Sequence, residues 1–135
     1  MYKNILVPTA LDKEHNTTGA IEAARKLSDD NATITLLHVL EQIPTYVAAR
    51  IPKELMADNH KSSEEALKEL AIGMPNISTI VIDGHSGQSV LDWAHKHQPD
   101  CIVIAGHRPD MQDKTLGSTA THVVRHAHCA VHVLR

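Results

Sequence analysis

The chain has 135 residues, 42% of them hydrophobic and 21% charged, and a formal net charge of −3. That length suits one domain that buries roughly two-thirds of its unfolded surface, and the composition excludes disordered and fibrous classes. With no Lys/Arg stripe, aromatics at 2% and no apolar run of membrane-spanning length, neither a nucleic-acid partner nor membrane insertion is expected.

At the N-terminus, Met1 to Asn4 lead straight into Ile5-Leu6-Val7 without an apolar leader region, so a cytoplasmic location is expected. Ile5-Leu6-Val7 is the first of five short apolar runs rich in β-branched residues. The others are Ile34 to Val39, Ile77 to Ile82, Cys101 to Ala105 and Cys129 to Leu134. Such runs read as strands buried on both faces, as in a parallel sheet.

The segments between them carry helical period. After Thr18, Ala20, Ala24 and Leu27 fall at i, i+4, i+7. Glu41 to Arg50 has little period and reads either as a loop covering a ligand or as a plain connection. Pro52 to Gly73 has room for a longer helix with Leu55, Met56, Ala66, Leu67 and Leu70 inward, Pro52 near its start and Gly73 as its stop. After Ser86, Val90, Leu91 and Ala94 share a side, and Ala120, Val123, Val124 and Ala127 form a full helical stripe.

Strands alternating with helices imply right-handed βαβ crossovers. The predicted fold class is therefore α/β: a doubly wound, Rossmann-like (HUP-type) five-stranded parallel sheet of order 3-2-1-4-5 with helices on both faces, one domain over residues 1–135. Ligands of such sheets bind beyond the strand carboxyl ends where the winding reverses, here between strands one and four. The loops that matter are Pro8 to Thr17 and Gly106 to Ser118.

The second loop contains Ala105-Gly106-His107-Arg108-Pro109-Asp110 and ends Leu116-Gly117-Ser118-Thr119 before a helix. Gly117 permits close backbone approach, Ser118 is a good N-cap, and the free N–H groups of the first turn attract phosphate. A Gly-Ser before a helix is also the ordinary composition of a turn and a cap, and local sequence leaves both readings open.

Over nearly its full length the chain resembles the universal stress protein family. The likeness is carried by Tyr2-Lys3-Asn4-Ile5-Leu6-Val7-Pro8, by Leu37-His38-Val39, by Gly84, and most strongly by Ile102 to Val133. The family pattern looks like G-x2-G-x9-G-[ST]. With His107 aligned, Ala105 and Arg108 stand where its first two glycines usually sit, the spacer is one residue short, and Ala10 replaces an aspartate near the adenine. The departures admit a nucleotide-free dimeric interaction module. However, His107 to Asp110 with Leu116-Gly117-Ser118 is similar to a smaller bacterial subgroup that retains ATP.

The resemblance thus implies an ATP-binding regulatory protein, with Mg2+ or Mn2+ as the accompanying ion and an unidentified protein partner. At most it would be a slow ATPase, since the sequence holds no G-x-S-x-G or P-loop motif. By position, Pro8, Thr9 and Ala10 would border the adenine, with Val39 offering backbone groups to its edge. Gly106 and Arg108 would lie beside the ribose or phosphates, Gly117, Ser118, Thr119 and Ala120 would hold the phosphates, and Gly84 and Ala105 would belong to the same cofactor-binding set. For Pro8 and Val39, strand packing is the plain structural reason for the same residues. The resemblance also implies a homodimer through the strand Ala130 to Leu134, an apolar run at the sheet edge.

Eleven histidines are the compositional oddity. His122 and His126 stand at i, i+4, a spacing that ligates zinc when a third ligand converges, but no Glu follows the first, and solvent-facing histidines are the expectation. His128 and His132 share a strand face by their even spacing. Cys101 and Cys129 each begin an apolar run and read as buried thiols of a reducing compartment.

Overall fold

In the computed structural model, which describes residues 1–12, 15–106 and 116–135, the five apolar runs form one parallel sheet of order β3-β2-β1-β4-β5. The strands are β1 (Tyr2–Pro8), β2 (Ser28–Glu41), β3 (Ile77–Gly84), β4 (Cys101–Ala105) and β5 (Ala130–Leu134). Ile5 lies opposite Ile34 on one side and Cys101 on the other, which makes β1 the central strand. Strand β2 is longer than its apolar core: Ser28 already stands opposite Tyr2, and the register shifts between Tyr2 and Asn4.

The helices are α1 (Thr17–Leu27), α2 (Thr45–Ala48), α3 (Lys53–Leu70), α4 (Ser86–His97) and α5 (Ser118–His126). Winding runs outward from β1 to β3 and then jumps back across β1 to β4, so right-handed crossovers place helices on opposite faces. Two cores result. Ala20, Ile21 and Ala24 of α1 and Leu67 of α3 pack with Ile5, Val7, Leu36 and Val103. On the other face, Val90 of α4 and Ala120 and Val123 of α5 pack with Leu6, Leu37, Ile102 and Ile104. Alternation along the central strands thus feeds two apolar layers, which is why Ile5-Leu6-Val7 of β1 and Cys101 to Ile104 of β4 read as continuous apolar runs.

Several local expectations change. Leu55 and Met56 are 51% and 38% exposed, and Leu67 is the buried residue of α3. Helix α3 packs on β3 and β2, and it reaches the core through its last turns, with Leu67 buried and Leu70 alongside. Val124 is 45% exposed, which narrows the buried stripe of α5 to Ala120 and Val123 with Ala127 alongside. Glu41 to Arg50, left open by the sequence, contains the short helix α2, begun by Pro44. Ser118 is not the N-cap of α5: Gly117 caps it, with the first helical bond running from Thr121 N to Gly117 O at 2.9 Å.

Candidate functional site

The carboxyl ends of β1, β2 and β4 and the first turns of α1, α4 and α5 surround a cavity of about 530 Å³. This is the reversal point of the winding, and the volume lies within the range of small-molecule sites. Strand β1 keeps its pairing with β2 through Pro8, whereas its pairing with β4 covers only Ile5 and Leu6, and the crevice opens between β1 and β4 beyond that point.

Thr9 is held on three sides. Its N–H donates to Leu37 O at 2.8 Å, its hydroxyl donates to Val7 O at 2.9 Å, and its carbonyl accepts from His38 Nδ1 at 2.7 Å. A carbonyl only accepts, so a neutral His38 carries its proton on Nδ1 and its lone pair on Nε2. Ala10 is tied to the start of α1 by the Thr17 hydroxyl, which donates to Ala10 O at 3.1 Å. Asn16 caps α1, its side chain accepting from Gly19 N at 3.0 Å.

Of the residues expected from the sequence, Pro8, Thr9, Ala10, Val39, Ala105 and Thr119 line this cavity. Ser118 lines an adjoining recess of about 340 Å³ together with Glu41, Ser86 and Thr119. Gly106 and Gly117 bind each other behind the wall, with Gly117 N donating to Gly106 O at 2.6 Å. Each glycine is also sterically required. A Cβ on Gly106 would stand 2.8 Å from Val133 Cγ1, and one on Gly117 would stand 3.2 Å from Gly106 O. Ala120 is 2% exposed and belongs to the core.

Gly84 is absent from the cavity wall. Its carbonyl accepts from Gln42 N at 3.2 Å, its φ is 150°, and a Cβ there would run into Ser89 Oγ. Backbone conformation accounts for this glycine. Arg108, with the rest of His107 to Thr115, lies outside the described residues.

Tertiary structure adds residues that the linear sequence did not single out: Asp12, His15, His38, Glu41 and Ser86. The His15 Nδ1–H donates to the Asp12 carboxylate at 2.8 and 2.9 Å, and the His15 backbone N–H adds a third bond at 2.9 Å. Ser86 opens α4 and Thr119 lies in the first turn of α5, and their hydroxyl oxygens are 2.8 Å apart. The Ser86 N–H donates to Glu41 Oε1 at 3.1 Å. The signal for Ser86 was present as the first residue of a βα turn, whereas Glu41 and His15 become neighbours only through the crossovers.

The model of the family described as "Universal stress protein family" matches residues 1–135. The chain belongs to this family. Universal stress protein A homolog 1 of Coxiella burnetii is 31% identical over 96% of the chain and 94% of its own length. Among solved structures, universal stress protein UspA of Lactobacillus plantarum superposes with a TM-score of 0.75 at 27% identity, covering 99% of this chain and 98% of that one. A universal stress protein of Archaeoglobus fulgidus solved in complex with dAMP superposes at 0.61 with 17% identity, covering 99% and 98%. In this universal stress protein a five-stranded parallel sheet carries helices on both faces.

Of the α5 histidine pair, His122 lines the adjoining recess, and neither ring reaches the main cavity wall. His126 Nδ1 donates to His122 O at 3.0 Å, and the two rings are 4.6 Å apart. Among the described residues, no three His, Cys, Asp or Glu side chains gather as a metal-binding group. Nor does any helix there have the length and apolarity to cross a membrane.

Proposed function

We propose that the chain is an adenine-nucleotide-binding regulatory protein of the stress response, cytoplasmic, with ATP and its Mg2+ or Mn2+ ion as the ligand. The observation that carries this is the cavity at the winding reversal, walled by Pro8, Thr9, Ala10, Val39, Ala105 and Thr119, in a family where a relative was solved with dAMP. Leu37, Val39, Val90 and Ile104 supply an apolar slot suited to a purine ring. Leu37 O accepts from Thr9 N, so strand alternation turns the Val39 backbone toward the same side, past the end of β1, where it meets the purine edge. The first turn of α5 faces the same space with its unpaired N–H groups, the arrangement that receives phosphate. Arg108 adds a charge-assisted contact to phosphate.

The proposed assembly is a C2 homodimer through β5. Among the described residues this strand pairs on one side only, with β4. Leu134 O accepts from Gly106 N, so alternation directs the backbone groups of Val131 and Val133 outward, free to pair with a second copy.

Calorimetric titration of nucleotide-stripped protein with ATP and magnesium tests the ligand. One site per chain in the micromolar range, abolished by Gly117→Val, supports the reading, since a Cβ there crowds Gly106 O and spreads the two glycines. A folded wild type that takes up no nucleotide overturns it in favour of the nucleotide-free interaction module.

A further inference from the structure

Among the described residues the walls of the cavity carry two carboxylates, Asp12 and Glu41, and two imidazoles, His15 and His38, but no lysine or arginine. Asp12 is engaged by His15 at the start of the α1 side. Glu41 is placed differently. It ends β2, lines both the cavity and the adjoining recess, and is anchored at the first turn of α4, where Oε1 accepts from Ser86 N at 3.1 Å and Oε2 lies 3.5 Å from His85 Nδ1. Through Ser86 Oγ and Thr119 Oγ1, 2.8 Å apart, this anchored charge is joined to the first turn of α5. That is the corner assigned above to phosphate.

We propose that Glu41 is the specificity-determining residue of this site: its anchored carboxylate selects nucleotides by phosphate charge, so that the cavity prefers a nucleoside monophosphate to a free triphosphate and accepts the triphosphate with its divalent cation. This rests on the adenine-nucleotide reading. The physical basis is that like charges a few ångströms apart repel in proportion to the product of their charges. A carboxylate that is largely solvated imposes a modest cost per phosphate charge, and salt screens it. Free ATP therefore bears the largest cost, AMP and magnesium-bound ATP a smaller and similar one, and adenosine none.

The test compares wild type with Glu41→Gln by calorimetry at low ionic strength, using adenosine, AMP, ATP and ATP with magnesium. Glutamine keeps an oxygen to accept from Ser86 N, so the fold of the corner is retained. The substitution is expected to tighten free ATP about tenfold and AMP about threefold, to leave adenosine unchanged, and to lose these differences at high salt. An equal change for all four ligands, or an unchanged ratio of ATP to AMP affinity, overturns the proposal. If neither protein binds adenosine, AMP or ATP, the adenine-nucleotide reading fails, and this assignment with it.

Discussion

Ser86 Oγ and Thr119 Oγ1 lie 2.8 Å apart and join the first turns of α4 and α5, two helices that follow different strands of the same face. Both residues are half-buried and both line the cavity, so one hydrogen bond sets the spacing of two helix starts at the site. Either hydroxyl can donate, and the pair stays satisfied whichever does.

A double-mutant cycle of Ser86→Ala and Thr119→Val isolates that bond. Each single variant is expected to lose about 1 kcal/mol of unfolding free energy, with a coupling of about 0.5–1.5 kcal/mol between them. Urea denaturation measures it, and strict additivity would show that the two hydroxyls act independently.

The two ends of α3 are predicted to respond oppositely to truncation. Leu67 is fully buried against the α1 face of the sheet, so Leu67→Ala is expected to cost about 2–5 kcal/mol through lost burial and a residual cavity. Leu55, half exposed on the first turns, is expected to tolerate alanine within about 0.5 kcal/mol. Thermal unfolding of the two variants side by side checks the contrast.

Alkaline stability follows from Cys101. Burial, reinforced by the neighbouring Cys129 thiol and the Asp100 carboxylate, pushes its pKa from 9.0 to about 11. The folded state thus holds the thiol protonated, while the unfolded chain releases the proton near pH 9. Its contribution is fully present below pH 9 and is lost as pH rises toward about 11, a decline on the order of 2 kcal/mol. Denaturation midpoints at pH 8 and 10.5 are expected to fall further apart for wild type than for Cys101→Ala, which has no thiol to titrate there.

The dimer reading makes a prediction about one amide. Val133 is expected to present its N–H outward from β5 while its side chain packs on the α5 face. Val133→Pro removes that donor, and sedimentation velocity is expected to show a monomer with helix content retained by circular dichroism. A folded variant that remains dimeric would place the contact elsewhere.

Much of this molecule was legible in the linear sequence. Five β-branched runs separated by helical stripes set the strand order, because right-handed crossovers leave few alternatives once the alternation of elements is known. The crevice between strands one and four could be located for the same reason, since the ends of central strands meet where winding reverses, while the choice of Pro8, Val39 and Thr119 as its lining came from the family resemblance.

What the sequence did not disclose depends on which side chains the crossovers bring together. Leu55 and Leu67 share one helical pattern, yet only Leu67 is buried in the core; periodicity reports a face, and tertiary packing decides how far that face is covered. Gly84 and Gly106 look alike as loop glycines, but backbone conformation requires one and the packing of Val133 and Leu134 the other. Glu41 is an unremarkable acidic residue in the linear chain. It becomes a charge at the candidate phosphate corner because the end of β2 and the start of α4, 45 residues apart at this contact, lie side by side, and Coulomb interaction depends on distance in space and takes no account of separation along the chain.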